Sequence, residues 1–149
     1  MKKKILIVTA NYYEEISNSL EKGAITFFND FNNKSNNFNL IYKKNFVPGC
    51  FEIPFVINKY QEEYDAFLAL GCIIRGETYH FEIISNAVTR KLMDLTISLK
   101  KPIGFGILTC DNIEQAKIRS DTDKKNKGAE AAKACIDLLL LRFKHENNG

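Results

Sequence analysis

An apolar run turns polar within a few positions at Leu70-Gly71-Cys72-Ile73-Ile74-Arg75-Gly76-Glu77-Thr78-Tyr79-His80-Phe81-Glu82. The preceding residues 66–70 are continuously apolar, as is typical of a strand that is covered on both faces of a sheet. Downstream, apolar residues recur at helical spacing at Ile84, Val88, Leu92, Leu95 and Leu99. The segment therefore predicts a strand, a turn and a helix.

The turn is where we expect a ligand to bind. In open α/β sheets, ligands collect at the carboxyl ends of strands, where free N–H groups of a following helix favour anions. Gly71 and Gly76 have the spacing of half a phosphate-binding P-loop, but the chain continues Glu77-Thr78 where that motif has Lys and then Ser or Thr, so its lysine is absent. The sequence thus argues against a P-loop nucleotide triphosphatase.

His80 is the candidate acid–base group, because imidazole can both donate and accept a proton near neutral pH. The residue follows a glycine-bounded turn and opens the helix that is expected there. A histidine at the start of a helix can equally cap the helix or pack against it. Both interpretations stay open on residue type alone.

The composition indicates one globular domain, covering residues 1–149, with 45% hydrophobic and 26% charged residues. A net charge of +3, interleaved with acids, is too small to predict binding to nucleic acid or to a membrane surface. Small-molecule substrates, including anions, remain possible. The apolar run at residues 5–8 is too short for a secretion signal, and no later segment is long enough for a membrane span.

The four cysteines, at positions 50, 72, 110 and 135, show no close spacing of the zinc or redox kind. We therefore expect reduced thiols and a cytoplasmic location, since disulfides are rare in that compartment.

Strands and helices alternate four times along the chain, followed by an additional helix. The further strands are expected at Lys3 to Thr9, from Leu40 to about Val47, and at Ile103 to Thr109, with an asparagine-rich loop from Asn29 to Asn39. The further helices are expected after Tyr13, at Phe51 to Pro54, from an Asp111–Glu114 capping pair to about Arg119, and along Ala129, Ala132, Ile136, Leu139 and Phe143. This order predicts a parallel sheet between two layers of helices.

Three other segments reach the same edge of the sheet or flank it. Tyr12 follows the first strand, where an aromatic ring can stack on a flat heterocycle or simply pack. Glu52 can cap the helix that follows it or contact a ligand. Gly104 and Gly106 surround Phe105 in the fourth strand, which indicates either close approach of another group or a bulge.

Three separated motifs carry a resemblance to a known family. They are Val47-Pro48-Gly49-Cys50-Phe51-Glu52-Ile53-Pro54, the segment from Leu70 to Phe81, and Ile113-Glu114-Gln115-Ala116 followed by Asn126-Lys127-Gly128-Ala129-Glu130-Ala131-Ala132. Over about residues 5–141 the chain resembles the 6,7-dimethyl-8-ribityllumazine synthases. The resemblance implies a flavodoxin-like fold, a three-layer α/β/α sandwich with a four-stranded parallel sheet.

The resemblance implies the penultimate step of riboflavin synthesis. 5-Amino-6-(D-ribitylamino)uracil condenses with 3,4-dihydroxy-2-butanone 4-phosphate, and phosphate and water are lost. It implies no cofactor and no metal, with His80 as the catalytic residue. The substrate-binding residues that it implies are Tyr12, Cys50, Phe51, Glu52, Cys72, Ile73, Ile74, Glu77, Thr78, Phe105, Arg119 and Lys127.

In similar enzymes, Tyr12 would stack on the pyrimidine, Cys50 to Glu52 would hold the ribityl chain, and Cys72 to Ile74 would line the uracil. Glu77, Thr78 and Arg119 would receive the phosphate, and Phe105 would pack over the heterocycle. Phe105 and Arg119 would reach a neighbouring subunit's site, in a homo-oligomer built from pentamers. The chain departs from the family pattern at Asn11-Tyr12-Tyr13 and at Asp123, which replaces a common lysine.

Two other classes of protein fit the same sheet edge. A flavodoxin-like module could hold a flavin or lumazine without turnover. A thiol-based redox protein would need a cysteine of low pKa, and Cys72, expected in the ligand turn, is the candidate.

Overall fold

The structure, a computed structural model, describes residues 1–144. The strands are β1 (Lys2–Ala10), β2 (Asn39–Val47), β3 (Ala66–Ile74) and β4 (Ile103–Cys110). The helices are α1 (Glu14–Lys34), α2 (Ile53–Lys59), α3 (His80–Leu99), α4 (Ile113–Ser120) and α5 (Lys127–Phe143), and a 3₁₀ turn at Cys50–Glu52 precedes α2. Across residues 1–144, every helix is too short or too polar to cross a membrane.

The four strands form one parallel sheet in the order β2-β1-β3-β4. Side chains of α1, α4 and α5 form a buried core with one face of the sheet, and side chains of α2 and α3 form a second core with the other face. The three-layer α/β/α sandwich expected from the sequence is therefore confirmed. The central strand β3 is buried from Ala66 to Ile73, because helices cover both of its faces.

The asparagine-rich segment is partly helical, which corrects the expected loop from Asn29 to Asn39. Helix α1 continues to Lys34, and only a short connection precedes β2. Asn32 explains the difference, because its side-chain amide donates to the Leu40 carbonyl (3.0 Å) and accepts from the Leu40 N–H (2.8 Å). The Asn32 amide thus joins the last turns of α1 to β2, and this part of the segment is helical instead of a loop.

Two other element boundaries differ from the sequence prediction. Strand β3 extends four residues beyond Leu70, so Cys72 lies inside the sheet and not in the turn. The cap of α4 is Asn112 and not Asp111, since the Asn112 side chain accepts from the Gln115 N–H at 2.9 Å.

Close packing of α5 explains the glycines of β4. A Cβ at Gly104 would lie 2.7 Å from the Ala131 carbonyl oxygen, and a Cβ at Gly106 would lie 3.0 Å from the Ala131 Cβ. Of the two sequence interpretations, close approach of another group is therefore right, and the group is Ala131 of α5, through its backbone at Gly104 and its side chain at Gly106. The packing leaves Phe105, which lies between the two glycines, 46% exposed.

Candidate active site

The carboxyl ends of β1, β2 and β3, with the turn that follows β3, carry a first group of candidate residues. Its members are Tyr12, Cys50, Phe51, Glu52, Cys72, Ile73, Ile74, Glu77, Thr78 and His80. The Asn11 N–H donates to the Val47 carbonyl oxygen at 2.8 Å, which places Tyr12 beside the start of the Cys50–Glu52 turn. A Cβ at Gly71 would lie 2.6 Å from the Cys50 Sγ, so the turn packs directly on β3. The sheet edge expected from the sequence therefore exists.

Two aromatic side chains of this group are exposed to solvent. Tyr12 is 75% exposed and meets Tyr13 edge to face, with ring centres 4.9 Å apart. Phe51 is 63% exposed. Large aromatic side chains are usually covered in a folded domain, so the exposure of these two rings is unusual. Both rings are therefore available to stack on a planar ligand.

The thiols of Cys50 and Cys72 lie inside the two cores, so a ligand can reach these residues only through their backbone. Burial raises the pKa of each thiol to about 12. All four cysteines are buried and free of disulfides. The thiol-based redox interpretation, which needs a low-pKa Cys72, is therefore wrong.

Glu52 does not cap the helix that it precedes. It occupies the residue before α2, but its side chain makes no capping hydrogen bond and is exposed. The capping interpretation is therefore wrong, and the carboxylate lies close to Gly49, where an added Cβ would be 3.3 Å from the Glu52 Oε2. Of the remaining first-group residues, Ile73 is buried and Ile74 is half-buried.

The turn between β3 and α3 places Glu77, Thr78 and His80 in solvent. The Thr78 hydroxyl accepts a hydrogen bond from the His80 N–H at 3.3 Å, so threonine and not histidine provides the polar contact at this helix start. The imidazole is the first side chain of α3 and lies directly after the anion-favouring turn. This leaves it available for proton transfer.

A second group of candidate residues lines a cavity of about 280 Å³ beside β4. Phe105, Arg119 and Lys127 all contribute to its wall. Arg119, in the last turn of α4, donates to the Gln115 carbonyl oxygen at 3.3 Å, and the Lys127 ammonium pairs with Glu130 at 2.9 Å. Glu130 therefore already balances part of the Lys127 charge, whereas Arg119 forms no ion pair with a carboxylate within residues 1–144.

The two groups lie along different strands of one subunit. The first group covers the ends of β1, β2 and β3, whereas the second lies along β4, the outer strand of the sheet. The expectation that one pocket uses residues of two chains stays a prediction.

Sequence reasoning missed Arg75, which follows β3 directly. Its guanidinium forms ion pairs with Glu82 and Asp111 and lies 4.4 Å from the centre of the Phe81 ring. The available signal was a lone cation between an apolar strand and the ligand turn.

Comparison with known proteins identifies the family of this chain. The family model for 6,7-dimethyl-8-ribityllumazine synthase matches residues 2–142. The chain belongs to the 6,7-dimethyl-8-ribityllumazine synthase family. Proteins named 6,7-dimethyl-8-ribityllumazine synthase include one from Bartonella tribocorum that is 44% identical, over 99% of this chain and 97% of its own length. Those of Agrobacterium fabrum and Zymomonas mobilis are each 41% identical, over 96% and 95% of this chain and 97% of their own lengths.

The lumazine synthase match includes both groups of candidate residues, since Tyr12 and Lys127 both fall inside residues 2–142. The resemblance seen in the sequence motifs is therefore confirmed. In the part of the chain that the structure describes, His, Cys, Asp and Glu side chains form no cluster of three suited to a metal ion.

Proposed function

We propose that this lumazine synthase condenses 5-amino-6-(D-ribitylamino)uracil with 3,4-dihydroxy-2-butanone 4-phosphate. The products are 6,7-dimethyl-8-ribityllumazine, phosphate and water. Family membership over residues 2–142 carries the proposal. The exposed acid–base group at the helix start, beside free aromatic rings, agrees with this chemistry.

In the proposed complex, the pyrimidine stacks on the Tyr12 ring and the ribityl chain lies along Cys50 to Glu52. The Glu52 carboxylate can accept hydrogen bonds from sugar hydroxyls, and backbone groups of Cys72 to Ile74 face the uracil. The exposed ring and carboxylate support this placement, and the buried thiols limit the two cysteines to backbone contacts.

The phosphate of the second substrate is proposed to bind between the turn that carries Glu77 and Thr78 and the Arg119 guanidinium of a neighbouring subunit. A guanidinium presents several N–H donors in a plane and matches phosphate oxygens well. Lys127 assists less, because Glu130 already pairs with its ammonium. Phe105, exposed on the outer strand, packs over the heterocycle from the same neighbour.

The proposed reaction begins when the aromatic amine attacks the ketone carbonyl and water is lost to give an imine. Phosphate then leaves by elimination, and the ribitylamino nitrogen attacks the remaining carbonyl carbon, which closes the ring with loss of a second water. Each step moves a proton, and we assign this transfer to His80, whose side chain is exposed at the start of α3. The protein contributes positioning and proton transfer, so the mechanism needs no strong nucleophile.

The composite pocket requires an oligomer, and we propose a homo-oligomer built from pentamers in the cytoplasm. Ile83, Met93 and Ile97 are exposed on α3, which is more apolar surface than one helix of a monomer usually presents. A closed ring of identical interfaces would cover this surface and repeat one pocket per interface. The four reduced cysteines support the cytoplasmic location.

The test is to incubate the purified protein with both substrates and to follow the fluorescence of the lumazine product. His80→Asn should form product about ten- to a thousandfold more slowly than the parent, with little change in substrate binding. A general acid–base group contributes about 10²–10⁴, and the expected loss is smaller here because water or the substrate phosphate can carry some of the proton transfers. Unchanged single-turnover rates would remove His80 from the mechanism. A yellow chromophore that survives dialysis, without product formation, would instead support the flavin-binding module.

A further inference from the structure

The turn that carries Glu77, Thr78 and His80 has few contacts of its own. Residues 75–80 are exposed, and a Cβ added at Gly76 would meet no atom within 4 Å. The hydrogen bond from the His80 N–H to the Thr78 hydroxyl is internal to the turn and does not anchor it to the sheet. A residue outside the turn must therefore hold it in one conformation.

Arg75 forms contacts on both sides of this turn, with the end of β4 and with the start of α3. Its backbone N–H donates to the Cys110 carbonyl at 2.9 Å, and its Nε donates to the Asp111 Oδ1 at 3.0 Å, so the arginine is fixed to the end of β4. Its Nη1 donates to the Glu82 carboxylate, and its guanidinium stacks on the Phe81 ring. These last contacts reach the first turn of α3, on the far side of the ligand residues.

We propose that Arg75 is a positioning residue, which holds the turn from Gly76 to His80 in its substrate-binding conformation by joining the end of β4 to the start of α3. The inference rests on the proposed function of that turn. Two carboxylates face one guanidinium here, so the local charge is negative and does not favour direct phosphate binding.

The proposal distinguishes Arg75 from a substrate ligand through its partners. If Arg75 acts through Asp111 and Glu82, then removing the carboxylates should reproduce the defect of removing the arginine. If Arg75 bound the phosphate directly, removing these carboxylates would free its charge and improve binding.

The experiment compares the parent with Arg75→Gln, Arg75→Lys, Glu82→Ala and Asp111→Ala. Hydrogen exchange of the amides in residues 76–80 is measured together with kcat and the KM of each substrate. For Arg75→Gln we expect exchange and the KM of butanone phosphate to rise about three- to thirtyfold, since exposed ion pairs and stacking are individually weak. The two carboxylate variants should change both quantities in the same direction, and the KM of the uracil should change less.

Arg75→Lys should recover part of the loss, because lysine keeps the charge but cannot bridge two carboxylates and stack at once. The matched control is Lys133→Gln, which removes the exposed Lys133–Asp137 ion pair (2.6 Å) on α5 and should match the parent in every measurement.

Two results would overturn the proposal. One is unchanged exchange at residues 76–80 in folded Arg75→Gln. The other is tighter binding of butanone phosphate by Glu82→Ala and Asp111→Ala, which would make Arg75 a ligand. If exchange rises as expected while the parent itself forms no lumazine, the positioning role stands and the proposed function fails.

Discussion

Subunits with His80→Ala and subunits with Arg119→Ala should complement each other when they are unfolded together and reassembled. Each variant alone should be a poor enzyme, because every pocket lacks one required group. His80 begins α3 over the carboxyl end of the sheet, whereas Arg119 lines the cavity beside β4. If one pocket joins these two faces of neighbouring subunits, a mixed ring can assemble intact pockets from two defective chains.

The expected activity follows from the ring geometry. Each interface of a head-to-tail ring joins the His80 face of one subunit to the Arg119 face of the next. An intact pocket needs one subunit of each kind in the correct order, so its frequency is the product of the two mole fractions. An equal mixture should therefore reach about a quarter of the parent's activity, and a three-to-one mixture about a fifth.

The assay is lumazine fluorescence at saturating substrate, measured across mixing ratios after confirming that each reassembled sample has the size of the parent. A maximum at equal amounts is the signature of a shared pocket. The two variants mixed without unfolding are the control, and they should show only their separate activities. Reassembled activity no higher than the weighted mean of the two variants would mean that both residues serve one chain's pocket.

Three further outcomes are expected. Arg119→Ala should raise the KM of butanone phosphate about ten- to a hundredfold, since hydrogen bonds to charged groups contribute about 1.5–3 kcal/mol, while an equal rise for the uracil would indicate misassembly instead. Gly128→Ala should lower the free energy of unfolding by about 1–3 kcal/mol in denaturant titrations, because its Cβ would lie 2.7 Å from the Leu20 carbonyl carbon and force α1 from α5. The control Gly76→Ala meets no atom within 4 Å and should avoid this cost. Burial raises the pKa of the Cys135 thiol from 9.0 to about 12. The stabilising contribution of this thiol is therefore complete below pH 9 and is lost as pH rises to 12. The difference in free energy of unfolding between the parent and Cys135→Ala, measured by denaturant titration, should narrow over that window, and a constant difference would contradict the raised pKa.

The order of the elements could be predicted because each element is specified by residues close together in the sequence. The helical spacing of Val88, Leu92 and Leu95 identified the buried face of α3, and the apolar run from Ala66 identified the central strand. Motifs at three strand ends also predicted the ligand edge, since the carboxyl ends of parallel strands meet at one edge.

Boundaries were harder because long-range hydrogen bonds decide them. The Asn32 amide is typical of a loop by composition, yet in the structure it bonds to the backbone of Leu40 and lies within α1. Sequence composition describes what a residue prefers locally, and a partner in another element can override that preference.

The sequence by itself determined the fold class, the family and the set of candidate residues. Only the tertiary structure decided which of their side chains face a ligand: it buried the thiol of Cys72 and exposed Tyr12, because orientation depends on packing against distant elements. It also placed Arg119 beside β4 and paired Arg75 with Asp111, 36 residues further along the chain. Contacts at such separation depend on the arrangement of β3 and β4 in the sheet, and periodicity along a single chain carries no information about it.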